Sequence, residues 1–229
     1  MKRNDIENHL KAVSLFKDLS KDELMPFINI SSSRIYNRRS IVFMQEDKLD
    51  RVFFIYSGKV KIYKTDLSGR EQIVSVLEAG DMFPHAGFFR KGSFPANAEI
   101  IENAQLIVIP IAEFEKVLLH NPELCIKIFK VLGEKIVDLH NRLEEQILHN
   151  TYEQIIMLLI RLASSNGCAH GEKWKITTQF TNRELANMIG TTRETISRNL
   201  NYLRKKGLLE IDEKGCLIID CNLLESEVS

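Results

Sequence analysis

Arg193, Glu194, Ser197, Arg198 and Asn201 fall at i, i+1, i+4, i+5 and i+8, a spacing that gathers them on one side of a helix. Their chemistry is selective hydrogen bonding. Arginine can bond both major-groove acceptors of guanine, glutamate accepts from the cytosine amino group, and serine serves either a base or a phosphate. A merely solvated helix face is usually richer in lysine and glutamate set four residues apart. Arg193, Glu194, Ser197 and Arg198 are therefore the candidate base readers. Thr181, Thr191, Thr192 and Asn201 are the candidate contacts to the sugar-phosphate backbone.

The helix that must carry them is predicted from Thr191 to Leu200 and on toward Gly207. Ile196, Leu200 and Leu203 follow at steps of four and three, one apolar stripe that has to pack on something. Thr191 and Glu194 have the spacing of a capping box. Just upstream a second helix is expected over Asn182 to Ile189, with Thr181 and Glu184 spaced as another box. Gly190 lies between the two, where a sharp turn favours a residue tolerant of positive φ. Two short helices about a tight glycine, the second with a polar leading edge, are a helix-turn-helix. Leu208 to Ile211 and Cys216 to Ile219 flank the turn Asp212 to Gly215 as a hairpin, a wing. Ahead of the motif come a capped helix from Thr151 to about Ser164, a polar loop over Ser165 to Gly171 and a strand near Trp174 to Thr178.

Charge agrees with this reading locally, not globally. The 229-residue chain has 31 Lys+Arg and 31 Asp+Glu, so its net charge is zero. Between Arg161 and Gly207, however, nine Lys+Arg stand against three Asp+Glu, a basic patch suited to phosphates. No apolar run has the length of a membrane span and the N-terminus lacks the apolar core of a signal peptide, so no membrane partner and a cytoplasmic location are expected. Cys125, Cys168, Cys216 and Cys221 are scattered and form no Cys-x-x-Cys pair. Reduced, mostly buried thiols and no metal site are the expectation.

The first half of the chain has a different rhythm. Residues up to Ile30 read as helical, with a capping box at Ser20 and Glu23. From Ser33 to Pro110 come short β-rich runs: Ile41 to Phe43, Val52 to Ile55, Val60 and Ile62 between lysines, Ile73 to Leu77 and Leu106 to Ile109. Gly58, Gly69 and Gly80 punctuate them, and Asp66 to Gly69 reads as a hairpin turn. Many short strands with regular turns predict an antiparallel β-roll, jelly-roll-like in form. A short helix, Ile111 to Leu119, and a long one, Pro122 to about His149, follow. Along the long helix Cys125, Phe129, Leu132, Ile136, Leu139 and Leu143 alternate steps of four and three. That heptad seam predicts pairing of two identical chains through Phe129, Leu132, Ile136, Leu139 and Leu143. Ile126, Ile128 and Ile147 are expected to face the β unit, and Asn150 with Thr151 to form a hinge. The fold class is α+β. It divides into a sensor-like β-roll (1–120), a dimerisation helix with its hinge (121–150) and a winged helix-turn-helix (151–229).

In this order of parts the chain resembles the Crp/Fnr superfamily of bacterial transcription regulators. The resemblance runs from Leu15 to Asp220. It rests on the Val52–Tyr63 roll segment, on Ala79-Gly80-Asp81-Met82-Phe83, on Asn121-Pro122-Glu123, and above all on Arg193-Glu194-Thr195-Ile196-Ser197-Arg198. It implies that Arg193, Glu194 and Arg198 contact bases of a TGTGA-type half-site, and that Ser197 stands where the Fnr branch has serine. It also implies double-stranded DNA and RNA polymerase as partners. The positions that hold cyclic AMP in binding members are Pro84, His85, Pro95 and Ala96 here, and Leu139 and His140 match the pair that reaches adenine. Proline has no N–H to donate and the arginine that balances the phosphate is missing. Cyclic AMP is not expected as cofactor. Nor is an iron–sulfur cluster, for want of a cysteine cluster, nor haem on His85 and His140. An unidentified small-molecule effector stays open, with Phe83, His85, Arg90 and His140 as its weakly marked pocket.

Two functions of other classes compete with a DNA-binding regulator. A cupin-like metalloenzyme needs several histidines converging within the roll, and His85 is the only histidine in that stretch. A ligand-sensing subunit that acts through a protein partner has no use for a base-reading helix.

Overall fold

The structure is a computed structural model that describes residues 3–17, 19–85 and 92–228. The chain forms two compact units, Met1–Ile136 and Val137–Ser229, each with its own core.

In the first unit α1 (Arg3–Lys11) and α2 (Lys21–Ile30) precede six strands. These are β1 (Ser32–Tyr36), β2 (Ile41–Phe43), β3 (Arg51–Thr65), β4 (Glu71–Leu77), β5 (Met82–Phe83) and β6 (Asn97–Pro110). α3 (Ile111–Leu119) and the long α4 (Pro122–Leu148) follow. The sheet runs β1-β6-β3-β4, with β2 on β6 and β5 on β3, and its pairings are antiparallel. α2 starts on the expected capping box: Ser20 accepts from the Glu23 N–H, and Glu23 accepts from the Ser20 N–H at 2.8 Å. The turn after β3 is held by Asp66, whose carboxylate accepts from Ser68 and Arg70.

What reads as two β runs, Val52 to Ile55 and Val60 with Ile62, is one 15-residue strand. Its register against β6 shifts between Ile55 and Val60, a bulge that bends the ribbon. Gly58 sits in that bend at φ 86°, and a Cβ there would meet the Asn103 carbonyl oxygen at 2.3 Å and the Ala104 Cα at 2.5 Å. Val52 to Ile55 is an unbroken apolar run because β3 is covered on both faces. Phe53 and Ile55 enter the roll interior with Phe43, Phe83 and Phe94, while Val52 and Phe54 join a second core with Phe16, Phe27 and Phe114 from the helices. Burial of each such side chain contributes roughly 1.5–3 kcal/mol.

α4 docks on that second core differently from expectation. Leu124 and Ile128 are buried in it, and Cys125 and Leu132 are partly buried against it. Ile126 and Ile147, expected to face the β unit, are exposed. On a 3.6-residue turn Ile126 projects with Phe129, away from the Leu124–Ile128 side.

The second unit carries the remainder of α4, then α5 (Thr151–Asn166), β7 (Gly167–His170), β8 (Lys173–Ile176), α6 (Asn182–Ile189), α7 (Arg193–Lys205), β9 (Leu209–Ile211), β10 (Leu217–Ile219) and α8 (Cys221–Ser226). Its sheet runs β7-β8-β10-β9. The hairpin after α7 forms as expected. The predicted loop over Ser165 to Gly171 does not: it contributes the end of α5 and the strand β7, paired along its length with β8. α8 is a further addition. All four cysteines are free, but only Cys216 is buried, and Cys168 on β7 is exposed.

Gly58→Ala should destabilise the first unit by about 2 kcal/mol or more, since strained φ and backbone overlap coincide. Gly69→Ala, at φ 79° with open space around it, should cost only about 1 kcal/mol. Denaturant unfolding of the two variants checks the difference.

Candidate nucleic-acid interface

α6 begins on a complete capping box. Thr181 Oγ1 accepts from the Glu184 N–H at 3.2 Å, and the Glu184 carboxylate accepts from the Thr181 N–H at 2.8 Å. The helix ends at Gly190, φ 74°, a left-handed residue that costs glycine nothing. The N–H groups of Gly190 and Thr191 both return to the Ala186 carbonyl.

That last bond corrects one expectation. With its N–H used to finish α6, Thr191 does not start α7, and the Thr191–Glu194 box does not form. Thr192 is the cap instead: its Oγ1 accepts from the Thr195 N–H at 3.2 Å. The shift by one residue releases the Glu194 carboxylate from capping and leaves it on the exposed first turn of α7.

Ile196, Leu200 and Leu203 are buried, in one cluster with Leu185 and Ala186 of α6 and with Ile155, Ile156 and Leu159 of α5. Their burial sets the rotation of α7. Arg193, Glu194, Arg198 and Asn201 are exposed, and Ser197 is half-buried between them. Thr181 and Thr192 are exposed at the two helix starts, and Thr191 is half-buried. The helix thus offers donors and acceptors side by side, with an apolar stripe behind them.

Much of the basic surplus is cancelled inside the unit. Lys175 pairs with Asp212 at 2.6 Å, Lys173 with Glu210, Arg161 with Glu145, and Lys206 with Glu227 at 2.7 Å. Among the described residues Arg183, Arg193, Arg198, Arg204 and Lys205 carry no ion pair. All five lie on α6 and α7. Among the described residues of the second unit Lys214, in the turn between β9 and β10, is likewise without an ion pair, so the unpaired cations lie on the helix-turn-helix and the wing turn.

Lys206, at the end of α7, is engaged by groups of its own unit. Its ammonium bonds Glu227 and lies 5.1 Å from the Tyr202 ring centroid, and the Tyr152 hydroxyl donates to the same Glu227 at 2.9 Å. The Glu227 contact pushes the Lys206 pKa up to about 12. Tyr152 and Glu227 are 75 residues apart, so no local pattern announces this clasp.

Phe83 is core, 1% exposed, stacked on Phe53 at 5.1 Å. His85 is half-buried, and its Nε2 has no hydrogen-bond partner among the described residues. Burial and then the nearby Lys135 hold its pKa down at about 4. Arg90 lies outside the described residues, and His140 is exposed on α4. Ala96 is buried beside Phe94, whose ring stacks on Phe43 at 3.7 Å and 7°. Among the described residues no three His, Cys, Asp or Glu side chains are placed to hold a metal ion. No described helix is long and apolar enough to cross a membrane.

Residues 33–121 match the cyclic nucleotide-binding domain family, and residues 153–227 match the Crp-like helix-turn-helix domain family. Among characterised proteins the chain is 26% identical over 204 residues to the anaerobic regulatory protein of Bacillus subtilis, covering 88% of this chain and 86% of that protein. It is also 26% identical over 189 residues to a CRP-like cAMP-activated global transcriptional regulator of Mycobacterium tuberculosis, covering 82% and 84%. Among solved structures, a CooA mutant from Carboxydothermus hydrogenoformans superposes with a TM-score of 0.75 at 21% identity, covering 95% of both chains. FixK2 from Bradyrhizobium japonicum gives 0.75 at 18% identity, covering 86% of this chain and 96% of that one.

His85 predicts an acid-side stability loss. Its folded pKa, about 4, lies below the usual value of about 6.5. The neutral ring is favoured by folding, so its contribution is complete above pH 6.5 and is lost as pH falls toward 4, by at most about 3 kcal/mol. His85→Gln should flatten the stability profile over that window, measured by denaturant unfolding at stepped pH.

Proposed function

Because this chain belongs to the Crp/Fnr superfamily of helix-turn-helix DNA-binding transcription regulators, we propose that it works as a homodimer on a TGTGA-like palindrome. Each α7 enters a major groove, and cyclic AMP is not required. One observation carries the reading of α7: internal ion pairs take up the lysines of the sheet and leave the α6 and α7 arginines free. Arg193 and Arg198 bond guanine, Glu194 accepts from cytosine, and Ser197 serves a base edge. Thr181, Thr191, Thr192 and Asn201 hold the phosphates, which sets the register.

The exposed side of α4 supports the dimer. Phe129 is 71% exposed, Leu139 and Leu143 are each 55% exposed and Ile136 53%. Such a row in water favours a second copy of the same helix. Leu132, partly buried on its own core, is left with a smaller part at that seam. Pro84, Pro95 and Ala96 support independence from cyclic AMP, because they supply neither a countercharge nor, at the prolines, an N–H for the phosphate. The name of the Mycobacterium relative carries cyclic-AMP activation for that protein only. RNA polymerase, met in the cytoplasm beside the promoter, is the partner this reading implies. A different small-molecule effector remains compatible with it.

Arg198→Ala should weaken binding to a TGTGA…TCACA duplex by about 1–3 kcal/mol while barely changing affinity for random DNA. Equal losses on both duplexes, measured over several salt concentrations, would remove the base-reading role. Separately, Ile136→Glu with Leu139→Glu should give monomers, because each places a charge in an apolar seam. A light-scattering mass still equal to two chains would contradict the seam. Isothermal calorimetry should detect no micromolar binding of cyclic AMP.

A further inference from the structure

α4 and α5 meet at a two-residue elbow, His149 and Asn150, within the second unit. It is less free than the hinge suggested by its sequence. Asn150 Oδ1 accepts from the N–H groups of Tyr152 and Glu153 at 2.9 and 3.2 Å, and Glu153 accepts in turn from the Asn150 N–H at 3.0 Å. His149 Nδ1 lies 3.0 Å from Glu153 Oε2. Gln154 Nε2 donates to the His149 carbonyl at 2.9 Å, which the end of α4 leaves open, and at 3.4 Å to the Glu145 carbonyl, which also accepts the His149 N–H.

Bonds at a vertex secure the connection but set an angle poorly. A bond farther out along the arm does set it. Arg161 is ten residues into α5, about 15 Å from its start at 1.5 Å per residue. Its Nη1 donates to both carboxylate oxygens of Glu145 on α4, at 2.8 and 2.7 Å. Both side chains are only about one-fifth exposed, 22% and 21%, so salt screens the pair less than a surface pair. The inner angle beside it is not filled by packed side chains. It is a cleft of about 770 Å³ between α4, α5 and the chain's end, lined by Asp138, Met157, Ile160, Ser164 and Val228 as well as by the pair. With a cleft where a packed core would otherwise brace the arm, this ion pair ties the two helices together at a distance from the elbow.

We propose that Arg161, through Glu145, is a positioning residue that sets the angle at which α5, and with it α7, is carried on α4. In a dimer joined along α4, that angle determines the separation of the two recognition helices and so the half-site spacing that the protein accepts. This second consequence rests on the dimeric DNA-binding reading above. The setting of the angle does not.

The test has one arm without DNA and one with it, each on the full chain. In amide hydrogen exchange, Arg161→Ala should speed exchange over residues 146–154 by about tenfold or more, with α7 and the inner part of α5 as protected as before. Exchange unchanged over 146–154 would overturn the brace, whatever the DNA results. In binding assays, a palindrome with two base pairs added or removed at its centre should cost the wild type about tenfold, and Arg161→Ala less than about threefold. Affinity for a single half-site and the dimer mass should be unchanged. The exchanged pair Glu145→Arg with Arg161→Glu should restore both protection and spacing preference, which a loss of folding could not do. Faster exchange with spacing preference intact would leave a stabilising contact and overturn the positioning role. A wild type with no spacing preference at all would refute the dimeric palindrome reading, and the exchange arm would still decide the brace.

Discussion

Everything that α7 presents depends on what it buries. Ile196, Leu200 and Leu203 are 0, 5 and 0% exposed, and their burial among α5 and α6 fixes the helix in rotation. Polar residues have no comparable power to orient a helix in water, because solvent satisfies them equally well at any rotation. Once the apolar stripe is docked, the 3.6-residue period dictates that Arg193, Glu194, Ser197, Arg198 and Asn201 look outward together. The left-handed Gly190 completes the constraint by bringing α6 against α7 in one step. Replacement of a stripe residue by a polar one would therefore disperse the exposed polar face without touching any residue on it.

The second organising effect is the sorting of charge. A chain of zero net charge has no overall attraction for nucleic acid, and only local imbalance can supply one. The sheet of the second unit satisfies its lysines with Glu210 and Asp212, and the clasp of Glu227 satisfies Lys206. The first unit does the same on β3, where Lys61 meets Glu99 and Glu71, and Lys59 meets Glu78 and Glu102. Among the described residues Arg183, Arg193, Arg198 and Arg204 on α6 and α7 are left without ion pairs, which puts unpaired positive charge beside the exposed face of α7.

Features that rest on neighbours a few residues apart were legible in the sequence. The Ser20–Glu23 and Thr181–Glu184 boxes, the Asp66 turn, the Gly190 turn and the exposed polar side of α7 all lie within a few helical turns or one hairpin. Features decided by competition or by distant partners were not. Thr191 and Thr192 are equivalent as caps until the Thr191 N–H is claimed by Ala186, and nothing in the motif itself announces that claim. Gly167 to His170 has no alternation and no β-branched residue, so it becomes a strand only because β8 pairs with it. Along α4 the heptad spacing cannot say which apolar residues meet the chain's own core, and Leu124, not Ile126, does so. The Tyr152–Glu227 bond and the Glu145–Arg161 brace join separate elements. Phe83 serves the roll's interior, which its place beside a loop histidine does not announce.

Selection of bound duplexes from a fully randomised pool by the purified chain tests, without presuming a site, whether two copies of α7 held in fixed relation read a symmetric DNA sequence. If they do, the pool is enriched in an inverted repeat whose half-sites are centred about one helical turn apart, each with G·C pairs at fixed positions. Recovery of no motif, or of an unsymmetric single element, would contradict that reading.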